Sequence, residues 1–263
     1  MKVLVLGGTG FLGKRVSEQF AKEGYDVIVC GEHKFVENDF PQTVDILVNC
    51  NGNSKKHKSV RFPDLDFSAN VQTVFKSLTK IKCKLYIYIS SSEVYGQMAS
   101  NGSCPDEVNT IVKHSYNIHR SIYGANKFAA ENLVASLANN FIILRTCGLI
   151  GKNLKKNIVY DILNNKPIRE SPKSRFQWIS TDHVSEIILL LCSQFTITQK
   201  KVLNIGGIGF VSVEEMASLL KKNINFNKDI DKPKHFEINI NKVKSFFKLK
   251  TSEEYLNELL HTK

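Results

Sequence analysis

The sequence lacks any unbroken apolar run near the roughly twenty residues that a membrane-spanning helix requires. It also lacks a signal-peptide layout, since the chain goes straight into KVLVLGG. No membrane partner is expected, and the protein is expected in the cytoplasm. There is no C-x-x-C pair: Cys30, Cys50, Cys83, Cys104, Cys147 and Cys192 are scattered, several of them in apolar runs where a reduced thiol packs as a small hydrophobe. That pattern argues against disulfides and against a metal site. Internal repeats and low-complexity linkers are missing too, and few prolines imply short loops. Acidic residues are in deficit, 25 against 36 Lys and Arg, for a net charge of +11. A basic surface attracts nucleic-acid phosphates. Here lysine is spread along the whole chain, and only Lys55-Lys56-His57-Lys58 and Lys152 to Lys156 form local clusters. A solvated surface accounts for the charge, and no nucleic-acid partner is expected.

What the chain does contain is an alternation of short β-branched runs with helical patterns, the mark of a parallel sheet with crossover helices. Strands are expected at Lys2 to Leu6, Asp26 to Cys30, Asp45 to Cys50, Leu85 to Ile89 and Phe141 to Arg145. Helices are expected at Phe11 to Lys22, Asp66 to Lys80 and Arg120 to Ala138. Beyond Gly151 the pattern is irregular. It has a helical Ile158 to Asn164, an extended piece at Phe176 to Ile179, an apolar helix from Asp182 to Phe195 and a returning strand at Val202 to Ile205. Ser212 with Glu215 has the form of a capping box opening a helix over Val213 to Lys222, and two short helical segments follow Asn241. The expected fold is α/β: a doubly wound parallel Rossmann sheet with a smaller mixed C-terminal lobe. Residues 1–150 would form the dinucleotide-binding domain with the catalytic residues, and 151–263 a partly interleaved substrate-binding lobe roofing the carboxyl edge of the sheet, where open α/β sheets bind ligands.

Between the first strand and first helix lies Gly7-Gly8-Thr9-Gly10-Phe11-Leu12-Gly13, a G-x-x-G-x-x-G spacing in the context that gives such glycines meaning. Gly7 permits the tight turn, Gly10 lets the backbone approach a pyrophosphate, and Gly13 lets the helix pack close to the strand. The free N–H groups of the helix start, on Phe11 and Leu12, and its positive end then face the phosphates. NAD-preferring sites place a carboxylate at the end of the second strand, but this chain reads Cys30-Gly31-Glu32-His33-Lys34. Gly31 leaves space for a 2′-phosphate, with Lys34 or His33 as counter-charge, so NADP(H) is expected in preference to NAD(H). A shift of one residue would instead put the Glu32 carboxylate on the ribose and favour NAD(H).

Tyr123 and Lys127 fall four apart near the start of a long expected helix, on one face of it. A free phenol titrates near ~10, and an adjacent cation stabilises phenolate and moves it towards the working range. Between the glycine turn and this pair, Ile89-Ser90-Ser91-Ser92-Glu93-Val94-Tyr95-Gly96 ends a strand in hydroxyls at the ligand edge.

Taken together, GGTGFLG, DILVNC, Asn70 in SANVQTV, SSSEVYG, YGANKFAAENLV, ILRTCGLIG, WISTDHVSEIILLL and LNIGGIGFVSVEEMASLL resemble the extended short-chain dehydrogenase/reductases, the NAD-dependent epimerase/dehydratase family, over nearly the whole chain. The resemblance implies an NAD(P)-dependent enzyme acting on a nucleotide sugar. Ser91 matches the hydroxyl that holds the substrate's C4 oxygen, Tyr123 the acid/base and Lys127 the ribose-binding, pKa-lowering lysine. Asn70 resembles the asparagine near that lysine, with helix packing as the plain alternative. Ser92-Glu93 resembles the acid and base pair of dehydratases, and Ser92 would contact substrate. Arg175, the candidate for binding the substrate's diphosphate, lies one residue out of register with the family's phosphate-binding arginine, so Phe176 takes the matching position. Long helices of this family often pair in dimers, which makes Asp66 to Lys80 and Arg120 to Ala138 candidates for a homodimer interface.

The triad fixes only hydride transfer at the sugar's C4. A compact chain and the missing acid at Gly31 point to reduction of a 4-keto-6-deoxy sugar nucleotide by NADPH. The alternatives are a 4-epimerase or 4,6-dehydratase with recycled NAD, and a non-catalytic dinucleotide-binding regulatory subunit.

Overall fold

The computed structural model of the chain describes residues 1–53, 56–107, 120–194, 200–224, 226 and 232–261. Lys55 of the first basic cluster and the expected helix end at Phe195 lie outside them. In chain order the first half runs β1 (Lys2–Leu6), α1 (Phe11–Lys22), β2 (Asp26–Cys30), α2 (Glu32–Val36), β3 (Thr43–Asn49), α3 (Lys56–Arg61), α4 (Pro63–Phe67), a π-helical turn (Ser68–Gln72), α5 (Thr73–Lys80) and β4 (Lys82–Ser91). A 3₁₀ segment (Ser92–Ala99) follows, then α6 (Ile122–Leu137) and β5 (Phe141–Thr146). The remainder is β6 (Gly148–Ile150), α7 (Ile158–Leu163), β7 (Arg175–Phe176), β8 (Trp178–Ser180), α8 (Thr181–Ser193), β9 (Lys200–Ile205), β10 (Val211–Ser212), α9 (Val213–Leu219), β11 (His235–Phe236), α10 (Asn241–Lys244) and α11 (Ser252–His261).

Six strands form a parallel, Rossmann-like sheet in the order β2-β1-β3-β4-β5-β9. Val3, Leu4, Val5 and Leu6 of β1 and Ile46, Leu47 and Val48 of β3 are all buried, as strands covered on both faces must be. The chain leaves β1 for β2 on one side and returns to β3 on the other, so the order reverses at β1. That reversal opens a crevice at the carboxyl ends of β1 and β3, the place where such sheets take ligands.

The chain divides into two compact units, one of 1–96, 119–145 and 182–203, the other of 97–118, 146–181 and 204–263. Thus α8, past residue 150, belongs with the unit that carries the six-stranded sheet. The second unit holds the two-stranded sheet β6-β8 and the three-stranded sheet β10-β7-β11. In the latter Phe176 stacks on Phe236 with centroids 5.1 Å apart. Its helix α9 opens with the expected capping box: Ser212 Oγ accepts from Glu215 N and the Glu215 carboxylate accepts from Ser212 N.

Two expectations need correction. The single helix over Asp66 to Lys80 is instead α4, the π turn and α5. It starts earlier because Pro63 suits a first helical turn, and its one-residue widening leaves no trace in hydrophobic periodicity. The helix expected from Arg120 starts at Ile122, because Ser121 in extended conformation caps it, Oγ accepting from Gly124 N at 3.1 Å. Among the described residues no helix is long and apolar enough to cross a membrane.

Candidate active site

The glycine turn is built as its spacing implies. Gly7 has φ +69°, and a Cβ there would also stand 2.7 Å from Asn51 Oδ1. A Cβ on Gly13 would lie 2.2 Å from the Gly7 carbonyl oxygen, so only glycine lets α1 start this close to the end of β1. Gly10 caps α1 in extended conformation and offers no side chain, which leaves the N–H groups of Phe11, Leu12 and Gly13 without intrahelical partners. A glycine-rich turn with free donors at the positive end of a twelve-residue helix fits a pyrophosphate.

Ser91 ends β4 at the same edge of the sheet, and the structure brings its hydroxyl near enough to Tyr123 to favour the phenolate. Glu93 sits beside them, its backbone N donating to Ser91 Oγ (3.2 Å) and its carboxylate accepting from Ser121 Oγ (3.4 Å). Gly124 makes this approach possible, because a Cβ there would stand 2.4 Å from the Glu93 carbonyl oxygen. Ser90, by contrast, points the other way and donates to Glu131 at 2.5 Å. Ser92 opens the 3₁₀ segment and is half-buried.

Tyr123 and Lys127 share the buried face of α6, at 6% and 4% exposure. Lys127 is not among the groups that act on the phenol in this fold, and the expected acidification is absent. Burial pushes the Tyr123 phenol up, the Ser91 hydroxyl offsets part of the rise, and the charges of Glu93 and Asp66 add to it. Burial likewise pushes Lys127 down to about 8, against the favourable charges of Glu131 and Asp66; the Cys50 thiol near it is pushed up to about 12 by its own burial and stays neutral. The ammonium donates to the Ile89 carbonyl (3.0 Å) and lies over the Tyr88 ring, 4.8 Å from its centroid.

Asn70 lies in the π turn, fully buried, and its Oδ1 has no hydrogen-bond partner among the described residues. With Lys127 Nζ it flanks Gly52: a Cβ on Gly52 would meet Asn70 Oδ1 at 2.6 Å and Lys127 Nζ at 3.0 Å. An orphaned acceptor beside an ammonium, at the crevice where the strand order reverses, fits a ligand carrying hydroxyl donors.

Gly31 caps the short α2, and the Thr9 side chain takes part of the space beside it, Oγ1 standing 3.2 Å from where a Cβ would be. His33 Nδ1 pairs with Glu37 at 3.0 Å, while Lys34 is exposed on the last turn of α2. Arg175 belongs to the second unit, at the start of β7, with its guanidinium 4.9 Å from the Phe210 ring centroid. Among the described residues no group of three or more His, Cys, Asp or Glu side chains is arranged to hold a metal ion.

Sequence reasoning passes over Gly52, Tyr88, Asp66 and Asn126. Asn51-Gly52-Asn53 directly after β3 is a turn signal, and Tyr86 and Tyr88 alternate onto one face of β4. Asp66 and Asn126 carry no such signal.

A family model described as NAD dependent epimerase/dehydratase family matches residues 3–206. No curated protein matches the chain. Among solved structures, it is similar to a dTDP-4-dehydrorhamnose reductase from Bacillus anthracis in complex with NADP (21% identity, 100% of this chain and 99% of that one, TM-score 0.78). It is also similar to a UDP-glucuronic acid 4-epimerase from Bacillus cereus in complex with UDP-glucuronic acid and NAD (18%, 100% and 98%, TM-score 0.77). A third is a UDP-glucose 4-epimerase with UDP-glucose from Thermotoga maritima (19%, 100% and 98%, TM-score 0.76).

Proposed function

The chain belongs to the NAD dependent epimerase/dehydratase family, and within it we propose that the protein reduces a 4-keto-6-deoxy sugar nucleotide at C4, with NADP(H) preferred. The observation that carries this reading is the nearness of Ser91 to a buried Tyr123, on the helical face that also holds Lys127. Gly7, Gly10, Phe11, Leu12 and Gly13 would hold the pyrophosphate of the dinucleotide. Asn70, Tyr123 and Lys127 would meet its ribose and nicotinamide end, and Gly31, His33 and Lys34 its adenosine end. A bound nicotinamide dinucleotide supplies hydride exchange at C4 and, when oxidised, a positive charge.

The chain's own residues handle the proton. Ser91 Oγ donates a hydrogen bond to the C4 carbonyl oxygen, and Tyr123 gives that oxygen its proton. The Lys127 ammonium, still charged at neutral pH, steadies the phenolate that remains. A phenol that burial holds protonated is set to give a proton before it takes one, which supports the reductive direction. The lack of an acid at Gly31 and the exposed Lys34 support NADP(H), and the similar structure holding NADP is a reductase.

Glu93 favours a second reading, 4-epimerisation or 4,6-dehydration with recycled NAD, because its backbone N bonds Ser91 Oγ and its carboxylate stands near enough to Tyr123 to act on the phenol by charge. Offering 4-keto sugar nucleotides with NADPH and with NADH, and parent sugar nucleotides with oxidised NAD, separates the two. Net reduction consumes NADPH in proportion to product. Conversion of a parent sugar nucleotide with no net change in cofactor would replace the proposal with the second reading.

A further inference from the structure

Asp66, near the end of α4, takes no part in the chemistry above, yet it is fully buried with both oxygens engaged. Oδ1 accepts from Asn53 Nδ2 (3.0 Å) and Oδ2 from Asn126 Nδ2 (2.8 Å). Its backbone carbonyl accepts from Asn70 Nδ2 at 3.1 Å. These three asparagines lie on segments that border one ammonium. Asn126 precedes Lys127 on α6, Asn53 follows Gly52, and the other amide atom of Asn70 flanks Gly52 together with Lys127 Nζ.

A buried carboxylate is costly to desolvate and stabilises little that an apolar residue of the same size would not. Its presence calls for a role. Directly after it, the helix widens into the π turn that carries Asn70, a departure from regular helix that recurs at functional sites. Asp66 thus joins three separate segments: the loop after β3, the widened turn and the first turns of α6.

Resting on the reading of Tyr123 and Lys127 as the proton-handling pair, we propose that Asp66 is a positioning residue that holds the Lys127 ammonium in register with the site. The groups near that ammonium are Cys50 just after β3, Asp66 from α4, Glu131 from α6 itself, and the Ile89 carbonyl and Tyr88 ring from β4. Of these, the Glu131 and Asp66 carboxylates favour the charged lysine, while burial keeps the Cys50 thiol neutral. Removing the Asp66 charge therefore makes the ammonium easier to deprotonate.

The test is an NMR titration of the isotope-labelled Lys127 side chain in the intact protein, with thermal melting as the check on folding. Asp66→Asn keeps the shape and removes the charge, and its Lys127 midpoint should fall by about one pH unit below that of the wild type. Asn126→Ala cuts only the link to α6 and, as the carboxylate turns away, should lower the midpoint by a smaller step. A folded Asp66→Asn protein with the wild-type midpoint overturns the proposal. If Asp66→Asn does not fold, an unmoved midpoint in Asn126→Ala overturns it equally. The titration needs no turnover, so failure of the wild type to reduce any sugar nucleotide would sink the proposed reaction and leave this result standing.

Discussion

Gly13 sits against Gly7 so closely that a Cβ on residue 13 would lie 2.2 Å from the Gly7 carbonyl oxygen and 2.8 Å from its carbonyl carbon. Both obstacles are backbone, so the clash is relieved only by moving the end of β1 or the start of α1. At Gly10 the nearest obstacle to a Cβ is the same oxygen at 3.0 Å, and its φ of −78° suits any residue.

These two glycines should therefore fail in different ways. Gly13→Ala is expected to destabilise the fold by about 1–3 kcal/mol, the usual cost of overpacking, and to lose dinucleotide binding with it. Gly10→Ala is expected to melt within a few degrees of the wild type while binding the dinucleotide at least about tenfold more weakly, since its methyl would project where the pyrophosphate approaches. Urea denaturation and dinucleotide titration on both variants check the split. Normal dinucleotide affinity in Gly10→Ala would remove the turn from the binding site.

Tyr123→Phe should lower turnover by about 10²–10⁴-fold, the range attributable to one positioned acid, with the protein still folded and still binding dinucleotide. Ser91→Ala should also lose activity, because Ser91 is the hydroxyl that lies near the phenol and favours its ionised form in this fold. Steady-state rates with a 4-keto sugar nucleotide give the answer. A Phe variant within threefold of wild type would mean that Tyr123 is not the acid.

Much of this site is legible in the sequence because its parts are local. The glycine turn occupies seven consecutive residues, and the Tyr123–Lys127 spacing places both on one helical face before any tertiary contact is known. What the sequence hides is the balance of burial against charge. Spacing alone puts an ammonium next to a phenol, but it does not say that both will be desolvated, so that the phenol goes up and the ammonium comes down. The π turn is hidden for a similar reason. One extra residue in a helix leaves the apolar pattern on either side intact, yet it turns Asn70 inward. Pro63 marks the true start of that helical run, and in a polar, basic stretch no apolar period points to it.

Lys127 should cost the protein stability. Its fall from 10.5 to about 8 corresponds to about 3 kcal/mol against the charged form in the fold. At neutral pH, Lys127→Met is thus expected to be inactive and more stable than wild type by about 1–3 kcal/mol, the lost hydrogen bond to Ile89 taking back part of the gain. Between pH of about 8 and 10.5 the unfolded chain holds the lysine proton and the folded protein releases it, so wild-type stability rises through that window. The margin of the Met variant should shrink correspondingly as the pH is raised. Urea midpoints for both proteins at pH 7 and pH 10 measure it, and a margin that stays constant contradicts the depressed lysine.

One helical turn beyond Lys127, Glu131 anchors α6 through a buried pair. Arg145 Nε donates to Glu131 Oε1 at 3.0 Å and Nη2 to Oε2 at 2.6 Å, with both side chains under 5% exposed. Ser90 donates to the same Oε1, and Tyr95 accepts from Arg145 Nη1 at 3.0 Å. Glu131→Gln would leave the guanidinium charged in a dry place, at a cost of about 3–5 kcal/mol. Removing both charges together removes the reason for that cost. Glu131→Met with Arg145→Met should therefore be more stable than Glu131→Gln, even though it deletes more hydrogen bonds. Because Glu131 also favours the charged form of Lys127, the double variant should shift the lysine midpoint down as well. Urea denaturation compares the two proteins directly. If the double variant proves the weaker, hydrogen bonding outweighs buried charge at this point, and the anchor of α6 is the network and not the ion pair.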